Sequence, residues 1–172
     1  MGYPFGHLVG AWLLGKGFEW FRKEKLHQNI WFFLLLGAII PDVDFLLKWV
    51  FGVHSHRTFT HSILFAIALG VIAYLVFLNI NSKRSSQYGF ALYTGIMTHL
   101  LFDLPDVYGI PLLWPFLGQI SLVTLTPEAI LPLFSHNLDG TRVIVKKLLV
   151  DTFLGVLWMF WLLWKGKVRF LM

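Results

Sequence analysis

The chain contains no cysteine. That excludes a disulfide framework, a thiolate zinc site and a cysteine nucleophile. Charge is scarce too: 13% of the 172 residues are Asp, Glu, Lys or Arg, against about 25% in a soluble globular protein. No internal repeat and no low-complexity tract is present. A basic n-region and a small-residue cleavage site are missing from the first residues, so no signal peptide is expected to be removed. What fills the chain is apolar: 57% hydrophobic residues, 17 Phe and 8 Trp, with a mean hydropathy of +0.70. These values predict an integral membrane protein, with residues 1–172 forming one membrane-embedded domain. The formal charge of +5 is carried by residues that flank apolar runs, which topology and anionic lipid headgroups explain, so no nucleic-acid partner is expected.

Read in order, the chain predicts an all-α, polytopic protein of about five hydrophobic helices. His7–Phe21 is a first run, about 22 Å long as a helix, and short for a hydrocarbon core of about 30 Å. Asn29–Ile40 comes second, with a boundary at Ile40 because proline at 41 disfavours helix at the residue before it. Phe45–Val53 is a shorter apolar helix. Ser62–Ile80 is the clearest span, uncharged and about 28 Å long as a helix. Tyr88–Leu104 is next and ends at Pro105. Five prolines between 105 and 132 mark a loop region lying over the helix ends, with a short hairpin expected within Gln119–Thr126. Leu148–Trp164 is the last run.

Positive charge then orients the bundle. Arg22, Lys23 and Lys25, Lys83 and Arg84, and Lys165, Lys167 and Arg169 fall at one set of helix ends, which predicts a cytoplasmic face there. Arg142, Lys146 and Lys147 fall on the other side. Threading the runs back and forth gathers His7, Asp42, Asp44, His56, His61, His99 and Asp103 at the opposite ends. Ionisable groups beside membrane-grade apolar sequence are costly to keep and mark function. Asp and His together are ligands for zinc, manganese or iron. His99 and Asp103 are four apart and share a helix face, so both reach one ion. Asp42 and Asp44, two apart, can act together only in an extended segment or at a helix start. Thr58 and Thr60 are candidate caps that would put His61 in the first turn of the third span. Seven candidate ligands exceed the four of a single zinc, which leaves room for two ions. His54, Asp106, His136 and Asp139 are weaker candidates at the same face, and His27, at the basic end, is not expected to bind.

Gly6-His7, Pro41-Asp42-Val43-Asp44, His56-Arg57-Thr58-Phe59-Thr60-His61-Ser62, His99-x3-Asp103 and Gly109-Ile110-Pro111-Leu112-Leu113-Trp114-Pro115 resemble the YdjM-like, LexA-regulated family of membrane-bound metal-dependent hydrolases. The resemblance covers roughly residues 6 to 116 and implies an α-helical inner-membrane protein with a hydrolase centre. A weaker similarity is to zinc-dependent phospholipase C. On that pattern His7, Asp42, His61, His99 and Asp103 are metal ligands, and the later His and Glu ligands of the fuller cluster have no match.

The function expected is hydrolysis of a phosphoester, lipid included, by metal-activated water in a multi-pass protein of the cell membrane, with the site on the extracytoplasmic face. One or two divalent ions are expected, zinc first, with manganese and iron as alternatives. Asp44 or His56 would act as general base or orient a ligand. Arg57 would bind substrate phosphate, or pair with Asp44 or a headgroup. The rival classes are a metal-ion or proton-coupled transporter and a structural membrane protein with a metal clip. Partners expected are the bilayer and a phospholipid or other phosphoester substrate.

Overall fold

Proline and serine set two of the helix starts. Pro4 opens α1 (Pro4–Arg22), where its missing N–H costs nothing. Ser62 caps α3 (Ile63–Asn79), its Oγ accepting from Phe65 N at 3.1 Å. Between them lie α2 (Gln28–Gly37) and two short 3₁₀ turns, Ile40–Val43 and Phe59–His61; α4 (Ser85–Asp103) comes after α3. The computed structural model describes residues 4–44, 58–80, 82–105, 109–121, 153, 155–158 and 161. Phe45–Val53, most of the proline-rich region and most of the last apolar run lie outside the described residues; within that run 153, 155–158 and 161 are helical.

The described chain is helical, with no strand among the described residues. Most of Gln119–Thr126, where a short hairpin is expected, lies outside the described residues. Ile120 pairs back to Ile110 through one antiparallel bridge, N to O at 2.9 and 2.8 Å, so the reversal closes the segment 110–120. The intervening turns, which contain Pro111 and Pro115, bring these two β-formers together. Residues 122–126 lie outside the described residues.

The first four helices alternate in direction, and α4 is the helix the others pack on. Ala66, Leu92, Ile96, Leu100 and Ile110 form one buried cluster between α3, α4 and the 109–121 segment. Ala11, Trp31, Leu34, Ala38 and Ala91 form a second between α1, α2 and α4. On α1 the buried stripe is His7, Gly10, Ala11 and Gly15, the i, i+3, i+4, i+8 spacing of one helix face. At the end of α1 away from His7, Glu19 accepts from Leu26 N and Trp31 Nε1, both at 3.0 Å, and pairs with Lys16 at 2.6 Å, which pins the turn into α2.

α3 buries Ala66, Gly70 and Ala73 and exposes Leu64, Ile67, Val71, Ile72, Leu75, Val76 and Leu78. Small residues at the contact and large apolar ones outside is the arrangement of helices that face lipid. Glycines set the closest crossings. A Cβ on Gly95 would run into the Leu34 carbonyl oxygen and lie 2.9 Å from Gly37 Cα, so α2 and α4 touch backbone to backbone. α3 and α4 meet in the same way at Gly70 and Gly89.

No helix among the described residues is long and apolar enough to cross a membrane. α3 is apolar but has 17 residues, about 26 Å, because Ser62 serves as its cap and Ile80 falls beyond its end. α1 has 19 residues but carries Lys16, Glu19 and Arg22, and α4 has 19 but is diluted by Ser, Gln, Thr, His and Asp.

Candidate metal centre

Helix direction brings the polar residues to one end. His7 stands in the first turn of α1, Asp42 comes just after α2, His61 precedes α3, and His99 and Asp103 occupy the last turns of α4. His7, His61, His99 and Asp103 are buried to 2% exposure or less, and Asp42 keeps 14% of its side chain exposed.

Four ligand atoms close a ring. His61 Nε2 lies 3.5 Å from Asp103 Oδ2, which is 3.6 Å from His99 Nε2. His99 Nε2 is 3.7 Å from Asp42 Oδ1, which is 3.8 Å from His61 Nε2. These distances are too long for hydrogen bonds. They are close to the edge of a tetrahedron around zinc, about 3.4 Å for bonds of 2.0–2.2 Å. His7 joins from the side: its Nε2 is 3.7 Å from Asp103 Oδ1, and its ring stacks on His99 with centroids 3.8 Å apart. The ligand atoms of His7, Asp42 and His99, and those of His61, His99 and Asp103, each lie within 4.8 Å of one another.

The donor set passes a test of its own chemistry. His99 Nδ1 lies 2.8 Å from the Ala38 carbonyl oxygen, which can only accept, so Nδ1 carries the proton. In the neutral imidazole the Nε2 lone pair then points into the ring of ligands, buried and without a hydrogen bond. Leaving such an acceptor unsatisfied costs about 1–3 kcal/mol, and crowding two carboxylates beside it adds like-charge repulsion. A divalent cation answers both. Because Nδ1 is committed to Ala38, His99 can serve one ion only. A second ion would be held on the His7 side, by His7 with Asp42 or Asp103.

Asp44 sits outside the ring. It is 2% exposed and accepts from Thr60 Oγ1 at 2.9 Å, on the Nδ1 side of His61. Asp42 and Asp44 therefore flank the His61 ring from opposite sides, which the 3₁₀ turn containing Pro41 makes geometrically available. His56 and Arg57 lie outside the described residues, as do His54, Asp106, His136 and Asp139. His27 is exposed and caps α2 through Nδ1, 3.3 Å from Asn29 N, remote from the cluster.

Thr58 and Thr60 do not cap α3. Ser62 does, and His61 is placed by a 3₁₀ turn before the helix rather than in its first turn. A serine that can reach N3 outcompetes a threonine two residues earlier. Two contributors to the site carry little or no signal in the sequence. Thr60 contacts both Asp44 and His61, and its place next to a histidine is the one hint of that role. The Ala38 carbonyl, 61 residues from His99, has none.

The fold and this site define a helical protein with small residues at its helix contacts, large apolar side chains exposed, and a buried His–Asp cluster of metal-ligating geometry at one end. The chain belongs to the YdjM family, described as YdjM inner membrane protein, whose sequence pattern it matches over residues 2–168. It is similar to the inner membrane protein YdjM of Escherichia coli, 32% identical over 126 residues, a match covering 60% of each chain. It is also similar to the uncharacterized protein YvsG of Bacillus subtilis, 34% identical over 98 residues, covering 51% of this chain and 58% of that one. The chain thus spans about 60% of the length of the curated relatives it matches. No solved structure matches it.

Proposed function

We propose that this chain is a multi-pass protein of the inner membrane that hydrolyses a phosphoester, lipid phosphoesters included, at a divalent-metal centre. The observation that supports it is the ring of His61, Asp103, His99 and Asp42 with His7 beside it, at distances of 3.5 to 3.8 Å. Bound there, zinc, or manganese or iron, would lower the pKa of a coordinated water and polarise a phosphoryl oxygen. The chain's own part is to hold and orient. His99 is locked by Ala38 and His61 by its neighbours on the Nδ1 side, and Asp42 is the one partly exposed member of the ring, so substrate would approach the metal from its side. Of the two roles open to Asp44, orienting a ligand suits its burial against Thr60. His56 and Arg57 remain assigned to base and phosphate-binding roles.

The depth of burial favours a second reading, a metal clip that ties α1, α4 and both 3₁₀ turns together. Transport is disfavoured, because among the described residues the His and Asp side chains of the cluster gather at one end and α3 carries no charged residue. Purified protein reloaded with zinc and assayed on phosphomonoester, phosphodiester and phospholipid substrates decides. One or two equivalents of tightly held zinc with turnover is the expected result. Metal without turnover on any of the three favours the clip, and no metal at all overturns both.

Sidedness is tested with single cysteines in a chain that has none of its own. A Cβ at Gly118 has open space around it, on the segment whose Leu112 carbonyl receives Ile63 N at the cluster end of α3. Ser86 is exposed at the opposite, basic end. Gly118→Cys is expected to react with an impermeant thiol reagent from outside intact cells and Ser86→Cys only after lysis. The reverse pattern would place the site on the cytoplasmic face.

A further inference from the structure

Thr60 is 7% exposed and makes two hydrogen bonds through a single hydroxyl. Its Oγ1 lies 2.9 Å from Asp44 Oδ2 and 3.0 Å from His61 Nδ1. An ionised carboxylate only accepts, so the one hydroxyl proton goes to Asp44. The oxygen then has only lone pairs to offer His61, and Nδ1 must be the donor. The direction of the whole chain is set: His61 Nδ1–H to Thr60, Thr60 O–H to Asp44. The direct separation of Asp44 Oδ2 and His61 Nδ1, 3.6 Å, is too long for the carboxylate to do this alone.

We propose that the Thr60 hydroxyl, held between Asp44 and His61, is a positioning group that keeps the proton on His61 Nδ1 and so turns the Nε2 lone pair toward a divalent cation. This rests on the metal-centre reading above. It parallels what the Ala38 carbonyl does for His99, so both imidazoles of the ring are fixed in the same tautomer, one by backbone and one by a side-chain relay. It also gives the buried Asp44 a task that needs no contact with metal or water.

The test compares zinc affinity, by chelator competition, in the unsubstituted chain and in Thr60→Val, Thr60→Ser and Asp103→Asn. It also records the ¹⁵N shifts of the His61 ring in the metal-free protein. Valine matches threonine in shape, so its methyl keeps Asp44 from closing onto His61. Thr60→Val should weaken zinc binding about 10–100-fold, the usual cost of losing an outer partner of a ligating histidine, while Thr60→Ser should stay near the parent. The metal-free parent should show His61 protonated at Nδ1. Three results overturn the proposal. Parental zinc affinity in Thr60→Val, with Asp103→Asn defective, refutes the relay and leaves the metal centre standing. A parent His61 protonated at Nε2 refutes it without recourse to any variant, including one that does not fold. A parent chain that binds no zinc removes the metal centre and the relay together.

Discussion

Asp103→Asn is expected to abolish zinc binding and phosphoester turnover and to leave a folded, membrane-inserted chain. Asp103 is the residue on which the cluster converges: Oδ2 faces His61 and His99, and Oδ1 faces His7. The amide keeps the shape and removes the charge that a divalent cation requires. Were the carboxylate only a contact between helices, its loss would cost on the order of 0.6 kcal/mol and leave activity intact. As a metal ligand set beside three imidazoles, it should cost well over the roughly 10–100-fold that accompanies loss of an outer partner. A thermal readout separates the cases without an assay for turnover. Zinc at 100 times its Kd should stabilise the parent by about 2.7 kcal/mol, roughly 5–10 °C in Tm for a chain of this size. Asp103→Asn should show no such shift, and its metal-free form should melt no lower than the parent, because one member of a crowded set of carboxylates has been neutralised. An undiminished zinc-induced shift in both Asp103→Asn and His99→Gln would end the metal-centre reading.

The second large effect is expected at Gly95, which touches no ligand. A Cβ there meets the Leu34 carbonyl oxygen, Gly37 Cα at 2.9 Å and Ala38 N at 3.1 Å, all of them backbone and unable to swing aside. Gly95→Ala should cost about 1–3 kcal/mol by forcing α2 and α4 apart, and Gly95→Leu should leave no folded protein to purify. The consequence reaches the site because Ala38 lies directly after the crossing and its carbonyl holds His99 at 2.8 Å. Gly95→Ala should therefore lose zinc affinity as well as stability. Gly17→Ala is the control: nothing lies within 4 Å of a Cβ at that exposed position, and it should be neutral or stabilising by about 0.5–1 kcal/mol. Equal Tm and equal zinc affinity in Gly95→Ala and the parent would show that the crossing does not set the site.

Much of the architecture is legible in the residues. Apolar runs separated by short basic or proline-containing links force antiparallel helices, and that alternation alone carries His7, Asp42, His61, His99 and Asp103 to one end. Proline at 41 marks the interruption after α2, and the four-residue interval from His99 to Asp103 marks their shared face. The pairing of Ile120 with Ile110 is not legible, because a β-forming run does not say which earlier strand-like residue it meets. The cap of α3 is ambiguous for a related reason: Thr58, Thr60 and Ser62 all qualify by residue type, and only the path of the chain decides which hydroxyl reaches an N–H.

By itself, then, the sequence determined the helical class, the strongly apolar character of the large side chains and the end of the bundle at which chemistry would gather. Those properties come from composition and from helical period, which act over a few residues. Tertiary structure alone decided that α2 and α4 touch at Gly37 and Gly95, that Ala38 fixes the tautomer of a histidine 61 residues away, and that Asp42 and Asp44 take different sides of His61. Such contacts depend on how close two backbones can come. That distance is set by packing between segments far apart in the chain, and no local pattern records it.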